Sequence, residues 1–208
     1  EQYSKKDISN VIARDMNVED VLKNSSKHWD GGYVISGIIG HGDAFVLRDP
    51  SGIRPAYYYA DDEIVVATSE RPVIQTAFNV PVDSIQEVKP GHALIVKKDG
   101  SIKEVEILPP LERTSCSFER IYFSRGNDQD IYQERLQLGK NLCPTILEHI
   151  DNDLHNTVFS YIPNTAEVSY YGVLKGMDEV LNKHKTKAKE KDFKRCLNSF
   201  ELCKTSKK

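Results

Sequence analysis

The sequence predicts an α+β domain followed by the opening of an α/β domain. Three observations predict it. Residues 33–107 hold short β-rich runs separated by Gly/Asp turn chemistry. Helical segments precede that series, and one short helix interrupts it. After Pro109 and Pro110 the pattern becomes helix, continuous apolar run, loop and helix, which is how a parallel sheet with covering helices begins.

The opening stretch reads as a helix, with Ile8, Val11 and Ile12 on one face after Asp7. A second helix starts at Asn17, a good capping residue, with Glu19 and Asp20 in its first turn and Val21 and Leu22 as its apolar stripe. Gly31 and Gly32 stop it. Strands are expected at 33–39, 44–48, 56–60, 63–68, 92–97 and 102–107, joined as an antiparallel meander. Residues 71–78 read as a short helix with Pro72 near its start. Farther on, 118–123 is a strand candidate, and 132–150 has helical periodicity through Leu136, Leu142 and Leu147, with Pro144 as a kink. Residues 157–162 read as a strand buried on both faces, and a further helix follows Pro163, Asn164 and Thr165.

Composition sets the class. The 208 residues are 39% hydrophobic and 28% charged, as in an ordinary globular protein. No apolar run approaches the length of a membrane span and no signal-peptide pattern opens the chain, so no membrane partner is expected. Four widely spaced cysteines do not make a disulfide framework, which favours a reducing cytoplasm. Glu1 rather than Met at the start suggests processing, or a beginning partway through a longer protein. Residues 1–176 carry 18 Lys/Arg against 26 Asp/Glu, a net −8, whereas 177–208 carry 10 against 5, a net +5. That shift marks a boundary. The Lys-rich tail, 182–208, reads as a frayed helix or as disorder. A solvated face is favoured over a nucleic-acid role, because no aromatic interleaving supports binding, and no nucleic acid is expected as a partner.

Several motifs invite a chemical reading. Asp49, Pro50, Ser51 and Gly52 are turn chemistry flanked by Arg48 and Arg54, and a rigid turn held by local ion pairs is favoured over a ligand site. Gly40, His41 and Gly42 suit a tight hairpin better than a phosphate cradle, since no helix start follows them. The loop from Pro163 to Glu167 is the better candidate. It lies between the expected buried strand and a helix, where ligands bind in open α/β sheets and backbone N–H groups suit a phosphate. The six histidines show no metal-ligand spacing, and neither a GxSxG elbow nor a Walker loop is present.

Three segments in fixed order carry a resemblance. They are GGYVISGIIGHGDAFVLRDPSGIRPAYYY (31–59), CSFERIYFSRGNDQDIYQERLQLGKNL (116–142) and VFSYIPNTAEVSYYGVLKG (158–176). With TSERPVIQTAF (68–78) and EVKPGHALIV (87–96), they resemble the amidophosphoribosyltransferases, over residues 7–181. The resemblance implies an interior fragment: the second half of an N-terminal-nucleophile (Ntn hydrolase) αββα sandwich, then the start of a type I phosphoribosyltransferase domain. The implied divisions are a partial glutaminase domain at 1–109, the phosphoribosyltransferase start at 110–181, and the tail at 182–208. The intact enzyme would be a cytoplasmic glycosyltransferase and glutamine amidotransferase. It would take glutamine and phosphoribosyl pyrophosphate as substrates in the first step of purine biosynthesis, with Mg2+, as a homo-oligomer. Another amidotransferase of the same nucleophile class, such as the sugar-phosphate or asparagine-forming enzymes, is disfavoured by the YFSRGND segment and the IPNT loop.

By the same resemblance Thr165 and Asn164 are the substrate-binding residues. The family pattern there is Glu/Asp–Thr–Ser, and this chain has Asn164, Thr165 and Ala166, so an acid and a hydroxyl are missing. Cys116 matches an iron–sulfur ligand position, but a cluster needs four thiolates and the matching partners are absent. No cluster is expected, and Cys116 reads as a small hydrophobe. No catalytic residue is assigned. The family's nucleophile is an N-terminal cysteine, and the first cysteine here is Cys116. Asp61 and Asp62 form the only Asp-Asp pair, in a hairpin turn without the strand–loop–helix setting of a phosphoribosyl pyrophosphate loop. The chain alone is therefore expected to be inactive, with poor solubility from exposed sheet edges. The alternative is a non-catalytic scaffold or split-subunit remnant of the enzyme.

Overall fold

In the computed structural model, which describes residues 3–205, the chain divides into two compact units, Glu1–Asp128 and Gln129–Lys208. Two short helices open the first. α1 (Lys5–Asp15) starts at Ser4, whose hydroxyl accepts from the Asp7 amide while the Asp7 carboxylate accepts from the Ser4 amide, each at 3.2 Å. This reciprocal cap satisfies two N–H groups that a helix start otherwise leaves open. α2 (Val18–Ser25) is capped by Asn17, whose side-chain oxygen accepts from the Glu19 amide at 3.1 Å. It buries Val18 and Leu22, one turn apart, whereas Val21, assigned to the stripe from sequence, is 46% exposed.

Seven strands follow: β1 (Val34–Ile38), β2 (Ala44–Arg48), β3 (Tyr57–Ala60), β4 (Val65–Thr68), β5 (Gln86–Glu87), β6 (His92–Val96) and β7 (Ile102–Glu106). They form two antiparallel sheets, ordered β1-β2-β6-β7 and β4-β3-β5. In the first sheet, the pairs Phe45↔Ile95 and Leu47↔Ala93 bring four side chains to one face. There Leu47, Ala93 and Ile95 join Val18, Leu22 and Ile107 in the core, with Phe45 packed against them. On the other face Ser36, Val46, Leu94 and Val96 look across a cavity of about 470 Å³ toward Val65 and Ala67 of β4.

A single meander is thus corrected to two sheets. The second neighbour of β2 is β6, not β3. The reason is the turn after β2, which draws its hydrogen bonds inward and sends the chain out of the first sheet before β3 begins. α3 (Arg71–Phe78) forms where expected, with Pro72 in the first turn, where a missing N–H leaves no bond unmade, and it ends at Asn79 in the left-handed region, φ 52°.

The strand expected at 118–123 is instead a single wide helical turn, Glu119–Phe123, closed by the Ser124 amide donating to the Glu119 carbonyl at 2.8 Å. Glu119 is buried there and pairs with Arg54, and the turn bonds its own backbone, which an isolated strand would leave without ladder partners. The chain from 110 to 128 stays with the first unit. The amides of Leu111 and Thr114 donate to the carbonyls of Pro50 and Ser51 at 2.8 and 2.9 Å, and Asp128 takes a two-pronged bond from Arg71.

The second unit is built on α4 (Gln129–His149) and α5 (Glu167–Thr205). Their backbones nearly touch. A Cβ on Gly139 would lie 1.8 Å from the Ser169 carbonyl oxygen, and one on Gly172 would lie 2.1 Å from that of Leu136. Leu136, Cys143 and Val173 are buried around this crossing. The buried strand expected at 157–162 does not form: Val158 is 93% and Ile162 82% exposed, and the segment is irregular. A central strand needs neighbours to satisfy its N–H and C=O groups, and among the described residues this unit offers only helices. The α/β opening is accordingly not present among them. The tail, expected as a frayed helix or disorder, continues α5 as helix to Thr205.

Candidate functional site

The loop favoured from sequence is a turn at the head of α5. The Asn164 carbonyl accepts from the Glu167 amide at 3.3 Å, and the Ala166 carbonyl accepts from the Tyr170 amide at 2.9 Å. Asn164 is exposed and Thr165 half-buried, and their side chains hold no hydrogen bond among the described residues. The structure brings the two predicted substrate-binding residues together on one turn, beside the amides of Val168 and Ser169. Such amides at a helix start attract anions.

An acid opposes that attraction. Glu167 lies in the first turn, where it complements the helix dipole, and it accepts from the Tyr171 hydroxyl at 2.7 Å. The carboxylate pushes the Tyr171 phenol up to about 12. Tyr170 in turn stacks on Tyr161 at 4.9 Å and its hydroxyl reaches the Phe159 carbonyl at 3.4 Å. These tyrosines tie the 157–162 segment to α5. They were not singled out from sequence, although Glu167 and Tyr171 stand at the i, i+4 spacing that signals a side-chain pair on a helix.

The donors present do not fit a directly ligated Mg2+. A hard cation of that size wants carboxylate oxygens, and the loop supplies an amide, one hydroxyl and a carboxylate already engaged by Tyr171. Cys116 is a half-buried free thiol. Cys143 is buried beside Gly176, and burial, then Glu179, raises its thiol, which disfavours the thiolate that a cluster ligand requires.

The RDPSGIRP segment is a buried polar hub. Arg48 and Asp49 are 1% and 0% exposed. Asp49 accepts from the amides of Ser51, Ile53 and Arg54 at 3.1, 2.9 and 3.1 Å. Arg48 donates to the carbonyls of Arg54, Val88 and Gly52 at 2.7, 2.6 and 3.1 Å and to Glu87 at 2.8 Å. The turn is rigid, as expected, but backbone hydrogen bonds hold it rather than an Arg–Asp ion pair. Gly52 adopts φ 60°, which a side chain rarely takes. Arg54 instead pairs with Glu119 and lies over the Phe123 ring at 5.8 Å.

Two other sequence features resolve as turns. His41 and Lys97 both reach Asp43, at 3.2 and 2.7 Å, so the Gly40–Gly42 hairpin is pinned to the turn between β6 and β7. Asp61 accepts from the amides of Glu63 and Ile64, each at 2.8 Å, and shapes the β3–β4 hairpin.

Paired antiparallel sheets with an arginine–aspartate turn, followed by a glycine-crossed helix pair, define a mixed α/β chain. The same fold is seen in the glutamine phosphoribosylpyrophosphate amidotransferase from B. subtilis complexed with ADP and GMP, with a TM-score of 0.59 and 24% identity over 86% of this chain and 38% of that one. A second structure, of the allosteric regulatory enzyme of purine biosynthesis, matches with the same TM-score and 25% identity over 85% of this chain. No family model matches the chain. In sequence it is similar to amidophosphoribosyltransferases: 30% identical to that of Lachancea kluyveri over 65% of this chain and 28% of the relative. The Bacillus subtilis relative is 32% identical over 61% of this chain and 26% of its own length, and that of Saccharomyces cerevisiae 28% identical over 73% and 32%. The resemblance carried by the motifs is thereby borne out. The chain spans under a third of the length of these relatives.

Proposed function

We propose that this chain is a segment of an enzyme that transfers glutamine-derived ammonia to phosphoribosyl pyrophosphate, the first step of purine biosynthesis. The observation that carries the reading is the similarity to amidophosphoribosyltransferases from yeasts and bacteria over most of the chain. In this reading residues 1–109 belong to the glutaminase sandwich and 110–181 lead into the phosphoribosyltransferase domain, with 110–128 as a connector that packs on the first unit and the second unit starting at Gln129. Glutamine and phosphoribosyl pyrophosphate are substrates of the whole enzyme, which works in the cytoplasm as a homo-oligomer with Mg2+ held by residues outside the 163–167 loop.

The role of the residues present is structural. The Arg48–Asp49 hub fixes the departure of the chain from β2, and Thr165 with Asn164 offers a phosphate-facing turn. The Asn164 and Ala166 departures support a second reading, a non-catalytic scaffold or split-subunit remnant. Complementation separates the two. A purine-requiring strain lacking its amidophosphoribosyltransferase should grow without purines when this chain is expressed with its adjoining coding sequence, and should not grow on the chain alone. Failure of the longer product, when soluble, would favour the scaffold. Growth on residues 1–208 alone would overturn both.

A further inference from the structure

The far part of α5 carries a charge pattern that the function above does not use. Read as a sequence, the tail is merely Lys-rich; the continuous helix decides which lysines share a face. Lys183, Lys187, Lys191 and Lys194 recur at i, i+4, i+8 and i+11 along α5. At 100° per residue they fall within about 80° of arc and along roughly 16 Å of helix. All four are exposed, and none is in an ion pair among the described residues. Glu179, one turn before Lys183, is already paired with Lys140 at 2.6 Å. Glu190 lies at the margin of the face, and Lys185 and Lys189 stand on the opposite side.

The chemistry of the face narrows its partner. Between Lys183 and Lys194 the only Phe, Tyr or Trp is Phe193 and the only other apolar residue is Ala188, too few for a row of stacking platforms or an apolar face. An interfacial membrane helix needs an apolar face beneath its lysines, and a single-strand binder needs stacking platforms. A duplex backbone needs neither. It presents one negative charge about every 1.7 Å, so this length of helix faces on the order of ten charges.

We propose that this face of α5 docks on the phosphate backbone of a nucleic-acid duplex, without reading bases. Binding is salt-dependent because it neutralises phosphates, and weak because residues 1–176 carry a net −8.

The test is fluorescence anisotropy of a labelled DNA duplex of arbitrary sequence titrated with the full chain. Neutralising four phosphates predicts a loss of about a hundredfold in affinity from about 50 to 200 mM salt. The variant K183Q/K187Q/K191Q/K194Q should lose binding at least about tenfold with unchanged helix content by circular dichroism, and K185Q/K189Q should lose less. The proposal is overturned by no binding at the lower salt, by equal affinity of the four-lysine variant, or by equal losses in the two variants. Capture by phosphatidylserine vesicles under conditions where the duplex does not bind would also overturn it.

Discussion

Gly139→Ala puts a methyl group where the backbone of α5 already lies. The added Cβ would stand 1.8 Å from the Ser169 carbonyl oxygen and 2.8 Å from the Val173 nitrogen. A carbon–oxygen contact settles near 3.3 Å, so the helices must part by about 1.5 Å at their crossing. Both obstructing atoms are backbone, which cannot rotate aside as a side chain can. Overpacking of this kind costs about 1–3 kcal/mol and sometimes more, while Ala for Gly in a helix recovers about 1 kcal/mol. Separation also strips packing from Leu136 and Val173, which puts the cost at the upper end. The expected net loss is about 2 kcal/mol or more. Gly176→Ala is the internal control. Its Cβ would meet the Cys143 Cβ at 3.1 Å, a contact relieved by a few tenths of an ångström, so propensity should offset it and leave stability nearly unchanged. Urea unfolding followed at 222 nm, with amide exchange in α4, reads both variants. Equal midpoints for Gly139→Ala and Gly176→Ala would refute the close crossing.

Further outcomes follow from the first unit and the loop. Arg48→Ala removes a buried guanidinium and leaves the Gly52, Arg54 and Val88 carbonyls and Glu87 without its donors, which should cost about 3–5 kcal/mol in urea unfolding; Arg48→Lys should not restore it, because one ammonium cannot span Glu87 and three carbonyls. Asp43, held down to about 2 chiefly by its hydrogen bond from Lys97, and Glu19, held to about 2 by Lys103 and then Lys23, lie below the ordinary carboxylate range near 4. Their stabilisation is therefore complete above about pH 5 and lost as pH falls through 2; D43N/E19Q should flatten the urea midpoint over that window, and an unchanged slope would contradict the pairing. Glu167→Gln should bring one tyrosine titration from about 12 back toward the ordinary phenol range, seen as a difference in absorbance at high pH.

Much of the first unit was legible because its signals are local. Asn17 caps α2, Pro72 opens α3, and the Gly/Asp turns bracket the strands. The pairing of β2 with β6 was not legible, since it joins residues about 50 apart in the chain, Phe45 opposite Ile95, and no local signal announces it. Nor was β5, two residues long and recognisable only by its bond to β3. The apolar run at 157–162 carries the composition of a buried strand, but burial is a property of neighbours, and the described part of the second unit supplies none. In the candidate loop, position and residue types were readable from sequence. The tyrosine–glutamate contacts around it were readable only as spacing, because stacking of Tyr161 on Tyr170 requires the chain to double back. The glycines of the helix crossing carry no distinguishing signal in one sequence: Gly139 and Gly176 look alike there and differ only in what their Cβ would meet.

Whether these residues supply scaffold or chemistry is decided by ammonia release from glutamine by the purified 208-residue chain. None is expected above the enzyme-free blank, with or without phosphoribosyl pyrophosphate. Release above blank that disappears in Cys116→Ala would contradict a scaffold role, because Cys116 would then be acting as a nucleophile.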